Sequence, residues 1–465
     1  MNDHDQDLSL DHIERCFGGA IPAVLATASG DGVVNVTFVS RAHQVDAQRI
    51  ALSNQFMSKT SRNLVSNPRA SLLLTEPVTH DQYRLALRYE RTERRGPVFE
   101  RLRSDIDALA VLENMQDVYR LRSADVFRVE SIEHCVPNPS ATVSDDVPEQ
   151  RAPEAALAGL AELARHLARA GDLDTVVDTT LDGLDRLLDY HHTMLLLLDE
   201  ERTRLYSIGS HGFDQESVGA EVVVGHGQIG LAAERCEPLR IGGLHQMRKY
   251  ARALKQRHVP DDVGPGHVMP LPAVAGVQSR IVVPAVARGE LVGVLVAESR
   301  RPVAFTAADE QVLGVVATLI ANAIEHVRGA VREESDDTST RERERNSPLE
   351  VPEPRETDGP LVKFFTVDGS VFVDGDYLIK GVAGRILWTL LSERAASGRT
   401  DFTNRELRLD PTLDLPGFKD NLESRLILLK RRLDERAVPI RIDKTGRGRF
   451  HLTVTSEPRL ESVQH

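Results

Sequence analysis

The stretch IVVPAVARGELVGVLVAES, residues 281–299, predicts two apolar strands joined by a turn at Arg288-Gly289-Glu290. It is followed by FTAADEQVLGVVATLIANAIEHV, residues 305–327, in which apolar residues recur at helical spacing from residue 307 onward. Thr306 stands directly before this pattern as its predicted N-cap. A buried hairpin leading into a long helix therefore organises the centre of the chain.

Upstream of the hairpin, the patterns predict helices over residues 155–169 and 173–188, the second capped by Asp172, and strands over 193–198, 204–209 and 220–224. The segment GQIGLAAERCEPLRI, residues 227–241, adds a Gly-rich turn, a short helix over 229–234 and a short strand. With the hairpin and the long helix, this order resembles a GAF domain over residues 154–328. The resemblance implies an α/β sandwich that binds an unknown small molecule between sheet and helices, or that dimerises through its flanking helices.

The three cysteines, Cys16, Cys135 and Cys236, are far apart and odd in number, so neither a zinc site nor a disulfide framework is expected. Cys236 follows the short helix of the central block. Its thiol is a candidate redox sensor, and the alternative is an inert, partly buried cysteine. The histidines of this block lack metal-ligand spacing, so no metal site is predicted.

The N-terminal block, residues 8–135, is rich in short strands. Strands are predicted over residues 21–27, 33–39, 49–52, 70–75 and 125–132, with a hairpin turn at 29–32, a short helix capped by Ser58, and a helix over 98–112. The stretches IPAVLATASGDGVVNVTFVS (21–40) and RIALSNQFMSKTSRNLVSNPRASLLL (49–74) resemble the flavin-binding split barrels of the pyridoxamine 5′-phosphate oxidase superfamily. The resemblance implies an antiparallel split β-barrel.

In that family a Ser-Lys/Arg-Lys/Thr turn holds the flavin phosphate, and the positions that match here are Ser58, Lys59 and Thr60, with Arg62 nearby. The implied cofactor is FMN, with deazaflavin or haem as alternatives. The family's Arg and Lys on the preceding strand are replaced by Arg41 and His43, and its substrate-binding Arg-x-His is absent. No catalytic residue is therefore assigned. The competing interpretation is a barrel that has lost its cofactor and carries solvated loop charges.

The C-terminal block, residues 361–455, predicts short strands with turns at Asp368-Gly369 and Asp374-Gly375, a helix over 382–396 ended by Gly398, and a Thr403/Glu406 capping box. A loop with two prolines, a helix over 418–436 and a hairpin reading IRIDKTGRGRFHL follow. This order resembles the winged-helix (α+β) effector domains of bacterial response regulators, in which the basic helix enters the major groove.

Residues 418–449 contain ten basic and five acidic residues, a local excess that is typical of a surface that binds double-stranded DNA. Leucines at 422, 426, 429 and 433 are predicted to face the domain core. The predicted DNA contacts on the other faces of the helix and on the wing are Arg425, Lys430, Arg431, Arg432, Lys444, Thr445, Arg447 and Arg449. A solvated charged helix is the alternative.

The whole chain has 465 residues and a formal net charge of −13. Residues 136–153 and 329–360 are rich in charge and proline and are predicted to be linkers, the second disordered. No membrane span, signal peptide, P-loop or dinucleotide fingerprint is recognised, so a cytoplasmic protein is expected.

Together these patterns predict a multidomain, homodimeric, ligand- or redox-responsive transcriptional regulator. The alternatives are a flavin-dependent oxidoreductase with regulatory domains, and a signalling scaffold whose winged helix binds protein.

Overall fold

A computed structural model describes residues 8–463, except 20, 113–118, 136–151, 200, 214–217, 250–273, 337–358, 414–421 and 447. The described residues form sheets of seven, six, four and three strands. These sheets belong to an N-terminal, a central and a C-terminal domain, so the predicted multidomain organisation is observed. Most of the two predicted linkers lies outside the described residues.

The N-terminal domain is a β-rich unit on one antiparallel sheet. Its strands are β1 (Ala23–Ala28), β2 (Val34–Val39), β3 (Ala42–Asp46), β4 (Arg49–Asn54), β5 (Arg69–Thr75), β6 (Gln82–Glu93) and β7 (Ser123–Cys135), arranged in the order β2-β1-β5-β6-β7-β4-β3. A 3-10 segment (Leu10–Gly18) and helices α1 (Ser58–Ser66) and α2 (Pro97–Leu112) complete it. Leu25, Ile50 and Phe127 are fully buried between these elements, because alternate residues of each strand point inward.

Two local expectations for this domain were wrong. Ser58 is not a cap but the first residue of α1, whose N-cap is Met57 without a side-chain hydrogen bond. Strands β3 and β6 were not predicted, although in β6 the residues Tyr83, Leu85, Leu87 and Tyr89 alternate with outward residues, arginines among them, as in a half-buried strand. Two of these arginines lie on its outer face and pair across to β7, Arg84 with Glu133 and Arg88 with Glu130.

The central domain has a six-stranded antiparallel sheet. Its strands are β8 (Thr193–Leu198), β9 (Arg204–His211), β10 (Glu221–Val223), β11 (Leu239–Ile241), β12 (Ser279–Ala287) and β13 (Glu290–Ser299), in the order β10-β9-β8-β13-β12-β11. Its helices are α3 (Pro153–Leu167), α4 (Leu173–Arg186), α5 (Gly227–Arg235) and α6 (Ala307–Asp336). The predicted hairpin is β12–β13, and Asp172 caps α4 by accepting from the Thr175 N–H at 2.8 Å.

Helix α6 continues to Asp336, which corrects the predicted start of the second linker at residue 329. The residues concerned include Arg and Glu, which are good helix formers. Residues Ala307–Gly329 are long and apolar enough to span a membrane by length and composition alone. One side of the helix, with Leu313, Val316 and Ile320 fully buried, packs on β12 as a core helix does.

The C-terminal domain begins with the sheet β16-β15-β14-β20, formed by β14 (Leu361–Phe365), β15 (Ser370–Val373), β16 (Asp376–Ile379) and β20 (Arg459–Val463). Helices α7 (Gly381–Ser397), α8 (Asn404–Leu409) and α9 (Leu422–Glu435), a 3-10 turn (Pro411–Leu413) and the sheet β17 (Asp401–Thr403), β19 (Arg449–Val454), β18 (Ile440–Gly446) complete it. The Thr403 capping box and the left-handed Gly398 are confirmed. Strand β20, parallel to β14, was not predicted and lies beyond residue 455.

Helix α2 joins the first two domains. Ala108 and Val111 of α2 belong to the apolar cluster between the central sheet and α5. Arg101 donates two hydrogen bonds, of 2.7 and 2.9 Å, to the carboxylate of Glu310 on α6. The N-terminal domain is therefore attached by apolar packing and a largely buried ion pair.

Candidate functional site

Helix α9, the helix predicted to touch DNA, is buried along most of its length, with Asp434 exposed. Leu422, Leu429 and Leu433 are buried, as predicted for the domain core. Leu426, Ile427 and Leu428 are buried as well, and they line grooves shared with the central domain. The first groove lies between α4, α9 and the β18–β19 hairpin. Residues 418–421 of the predicted helix lie outside the described residues.

The two adjacent cations at the middle of α9 bind carboxylates of α4. Arg431 donates from Nε (2.8 Å) and Nη2 (2.6 Å) to Asp174, and from Nη2 to Asp178 at 2.6 Å. Lys430 donates to the other oxygen of Asp174 at 2.8 Å. The side chain of Arg431 is only 16% exposed, so this cation presents little surface to solvent.

The hairpin predicted to be the wing contacts the same helix. Lys444 donates to Asp172, the cap of α4, at 2.7 Å. Thr445 and Arg449 are exposed, and Arg447 lies outside the described residues. One cation of this hairpin, Lys444, is therefore bound to α4, whereas Thr445 and Arg449 face solvent.

The remaining two predicted DNA contacts are placed differently. Arg425 lies over the ring of Tyr206 on β9, with its guanidinium carbon 4.7 Å from the ring centroid. Arg432 was expected on an outer face, but it is 5% exposed and donates to the Leu378 carbonyl at 2.9 Å and to Glu435 at 2.8 Å. Arg432 is thus a structural residue of its own domain, because its position on α9 faces the strand β16.

These contacts shift the ionisation of both partners. Burial alone would raise the pKa of Asp172, but Lys444 and the Thr175 donors lower it to about 2. Burial likewise opposes ionisation of Asp174, and Lys430 and Arg431 lower its pKa overall. The hydrogen bond from Lys430 to Asp174 raises the pKa of Lys430. All these groups are therefore charged at neutral pH, and the contact is ionic.

The acidic row on α4 follows from its sequence, LDTVVDTTLDGLDR. Asp174, Asp178 and Asp182 recur every four residues, so they lie along one side of the helix while Val176, Val177 and Leu181 pack inward. The sequence analysis did not identify this row as a partner for α9. The four-residue spacing of aspartates was the available signal, but nothing in it indicates which basic helix it meets.

The predicted flavin residues lie at the start of α1. Ser58, Lys59 and Arg62 are exposed, and the first turn of α1 contains no acidic residue. Thr60 is 1% exposed and accepts a hydrogen bond from Asn35 of β2 at 3.0 Å. Two cations and a hydroxyl at a helix N-terminus suit a phosphate group, so this donor set fits the phosphate of a flavin.

Arg41 does not supplement that donor set. It is 2% exposed and donates to the Gly18 carbonyl at 3.1 Å, and burial lowers its pKa. The charges that act on it, Asp105 and Arg240 among them, belong to α2 and the central domain. Burial also lowers the pKa of His43. These residues are part of the interdomain junction.

Cys236 ends α5 in a left-handed conformation with φ of 53° and is exposed. Partial burial raises the pKa of its thiol, which lowers the reactive thiolate fraction at neutral pH. The redox-sensor role stays a prediction. Among the described residues, no cluster of His, Cys, Asp and Glu could hold a metal ion.

Comparison with known families covers the first two domains. Residues 10–131 match the sequence model of the pyridoxamine 5′-phosphate oxidase family, and residues 172–324 match that of the GAF domain. Both resemblances inferred from the sequence are thereby confirmed. No curated protein matches the chain.

Solved structures that resemble parts of the chain have low identity. The GAF domain of an Acinetobacter phosphoenolpyruvate-protein phosphotransferase is 22% identical, with 37% of this chain and 94% of that one covered and a TM-score of 0.31. An FMN-binding protein from Syntrophomonas wolfei is 19% identical, with 28% and 92% covered and a TM-score of 0.23. A free methionine-R-sulfoxide reductase from Neisseria meningitidis is 20% identical, with 38% and 95% covered and a TM-score of 0.29. At these values the likenesses carry no argument about function.

The chain therefore combines an N-terminal domain of the pyridoxamine 5′-phosphate oxidase type with a GAF domain, an architecture that fits a sensor or regulatory protein.

Proposed function

We propose that this protein is a cytoplasmic, ligand- or redox-responsive transcriptional regulator whose C-terminal domain is a winged helix that binds double-stranded DNA. The observation that carries the proposal is the succession of α7, α8, the cation-bearing α9 and the β18–β19 hairpin on a small sheet. In a winged helix, the third helix reads the major groove and the hairpin meets the backbone beside it. Lys444 and Arg449 are exposed on that hairpin and supply the backbone contacts.

The N-terminal barrel is proposed as a sensory module that holds a flavin phosphate at α1. Lys59 and Arg62 neutralise the phosphate, and Ser58 and the first backbone N–H groups of α1 donate hydrogen bonds to it. A bound flavin would supply redox chemistry at this domain. Titration of FMN into the protein tests the assignment: Lys59→Ala combined with Arg62→Ala is expected to weaken binding at least about tenfold, a change of 1.4 kcal/mol or more.

The regulator is proposed to act as a homodimer, as half-site recognition by paired winged helices requires. Support comes from the edge strand β2, where Val34, Val36 and Phe38 are each more than 60% exposed. These alternate residues share one face of the strand, and such a contiguous exposed apolar patch marks a protein contact. Sedimentation of the Phe38→Ser variant is expected to show a larger monomer fraction than the parent protein, and an unchanged monomer fraction would argue against this contact.

Selection of random-sequence duplex DNA by the full-length protein at low salt tests the DNA-binding proposal. An enriched sequence is expected to bind with an affinity that falls steeply with salt, since phosphate contacts release counterions. Removing two phosphate contacts in Lys444→Ala/Arg449→Ala should lower the salt exponent by about two.

The matched control removes two exposed cations from the N-terminal domain, Arg84→Ala/Arg88→Ala, and is expected to bind DNA like the parent protein. If no sequence is enriched, or if both double variants bind equally, the DNA-binding proposal fails.

A further inference from the structure

We infer that the aspartate row of α4 is an intramolecular substitute for DNA phosphates, and that the arrangement seen here is an autoinhibited state of the protein. This inference rests on the proposed DNA-binding function and adds its regulation. Within this row Asp174 and Asp178 bind α9, and Asp172 at the N-cap of the same helix binds the hairpin. All three belong to the GAF domain rather than to the domain that they cover.

The contacts have the chemistry of a phosphate clamp. Arg431 presents a planar fork to Asp174, and such forks bind carboxylates and phosphates in the same way. Lys430 adds a point charge on the second oxygen of the same carboxylate. Both donors are therefore occupied by the kind of oxygen pair that a phosphate would offer.

The same acidic helix engages both elements that a winged helix uses on DNA. Its middle holds the cations of α9, and its cap holds Lys444 of the hairpin. A contact made only for domain cohesion could use any surface of the C-terminal domain. Here one helix covers the predicted recognition helix and the predicted wing together.

The closed arrangement also excludes DNA sterically. Arg425 lies on the Tyr206 ring, and a Cβ added at Gly209 would come within 2.9 Å of Arg431 Nη1, so β9 closely approaches α9. A double helix cannot enter this space. DNA binding therefore requires α9 to leave α4, and the affinity for DNA is reduced by the fraction of molecules that are closed.

The contact is suited to reversible release. Lys430 and Lys444 are 36% and 48% exposed, and Asp178 is 67% exposed, so the ion pairs that these residues form are partly screened and individually weak. The Arg431–Asp174 pair is the most buried of the set. Helix α4 packs on β8, β9 and α6 of the sensor domain. A ligand that moves α4 relative to its sheet would consequently change the fit of the row to α9.

The test measures binding of a labelled random-sequence duplex to the full-length protein by fluorescence anisotropy at low salt. Asp174→Asn/Asp178→Asn keeps the side-chain shapes and removes both charges. Losing three ion pairs, Lys430–Asp174, Arg431–Asp174 and Arg431–Asp178, each worth a factor of up to about five, is expected to raise DNA affinity at least about tenfold. Small-angle X-ray scattering of the same variant should show a larger radius of gyration.

The control is Asp182→Asn/Glu154→Gln, which removes the same net charge from α4 and α3. Asp182 pairs with Arg186 on its own helix, and no contact of either residue with the described C-terminal domain is observed. The control is expected to match the parent protein in both measurements. A gain of affinity in the control as large as in the double-asparagine variant would overturn the inference, because general charge reduction would then explain it.

The inference and the proposed function fail differently. If the parent protein binds DNA as tightly as the double-asparagine variant, DNA binding stands and autoinhibition is overturned. If no form binds DNA although scattering shows release of the domain, the DNA-binding function itself is overturned. Should the double variant unfold, Glu221→Gln, which frees Lys380 on the other side of the interface, provides the second test and is expected to raise affinity by a smaller factor.

Discussion

The GAF domain has two interfaces with its neighbours, and they are built differently. The interface with the N-terminal domain places Ala108 and Val111 of α2 in an apolar cluster and closes it with the Arg101–Glu310 pair, in which the side chains are 26% and 16% exposed. The interface with the C-terminal domain also has apolar packing, and its Arg431–Asp174 pair, 16% and 26% exposed, is as buried as Arg101–Glu310. It differs in adding three ion pairs that are more exposed, Lys430–Asp174, Arg431–Asp178 and Lys444–Asp172. The second interface therefore depends more on exposed charge than the first.

The difference shows how one domain can be fixed on one side and movable on the other. Apolar contacts and largely buried ion pairs respond less to salt than exposed pairs do, because fewer ions reach them. Partly exposed ion pairs are screened and can be exchanged for contacts with another polyanion. The GAF domain is therefore firmly attached to the N-terminal domain, whereas the exposed ion pairs of its contact with the C-terminal domain can be replaced by other ionic contacts.

The largest effect is expected at the fixed interface. Arg101→Met leaves the carboxylate of Glu310 poorly compensated in a largely buried place, with only Arg240 nearby at 3.5 Å. We expect a loss of about 2 kcal/mol in the free energy of unfolding, below the usual range for fully buried pairs because both groups retain some exposure. Urea denaturation followed by circular dichroism measures it, with the exposed Arg103→Met as control. Equal stability of the two variants would mean that this pair does not hold the interface.

Salt is expected to separate the two interfaces. At about 0.5 M NaCl the screening length falls to about 4–5 Å, which weakens the α4–α9 ion pairs and leaves the α2 contacts intact. Carbodiimide cross-linking of Lys430 and Lys444 to the aspartates of α4 should decrease, while amide hydrogen exchange in α2 stays unchanged. Faster exchange in α2 at high salt, or unchanged cross-linking, would contradict the distinction.

Changes of pH near neutrality are expected to release neither interface. The lowered pKa values of Asp172, Asp174 and Glu310 mean that each contributes stability fully above its ordinary value, 3.8 for aspartate and 4.5 for glutamate. That stability is lost as the pH falls through the lowered value, which is about 2 for Asp172. Scattering profiles should therefore be constant between about pH 6 and 8, since none of these three carboxylates titrates there. Opening of the C-terminal domain within that window would require a different titrating group.

The smallest effect is expected at the edge of the movable interface. Glu221 pairs with Lys380 at 3.0 Å, and both side chains are substantially exposed. Glu221→Gln should weaken closure by no more than about 0.5–1 kcal/mol, or a factor of two to five in DNA affinity. Anisotropy titration measures the DNA affinity of this variant beside that of the Asp182→Asn control. An effect larger than that of Asp174→Asn/Asp178→Asn would mean that the main contact between the two domains lies at Glu221 and not at Asp174 and Asp178.

Periodicity and capping were sufficient to predict most elements, because their signals are local. The β12–β13 hairpin, the Asp172 cap and the Thr403 capping box needed only neighbouring residues. Strand β6 was missed although its apolar residues alternate with charged ones, which is a local signal; its outward arginines pair with glutamates of β7. Strand β20 was missed because it pairs in parallel with β14, almost a hundred residues away in sequence.

The sequence indicated the cations of the candidate site but not the residues that they bind. The excess of cations on α9 and the wing was visible, but their partners lie on α4, more than 250 residues earlier. The burial of Arg432 depends on the carbonyl of Leu378, which no sequence pattern reports. Pairing between domains is set by tertiary packing, so a sequence can indicate a charged surface without revealing what covers it.

The central claim, that α9 exchanges α4 for DNA, is tested most directly by energy transfer within one molecule. Donor and acceptor dyes are attached at Asp182→Cys on α4 and Arg459→Cys on β20, in protein whose accessible Cys135 and Cys236 are replaced by serine. Transfer is predicted to fall as duplex DNA is added, in parallel with DNA binding. Saturation with DNA at unchanged transfer would show that the C-terminal domain binds without leaving α4, and would contradict the account.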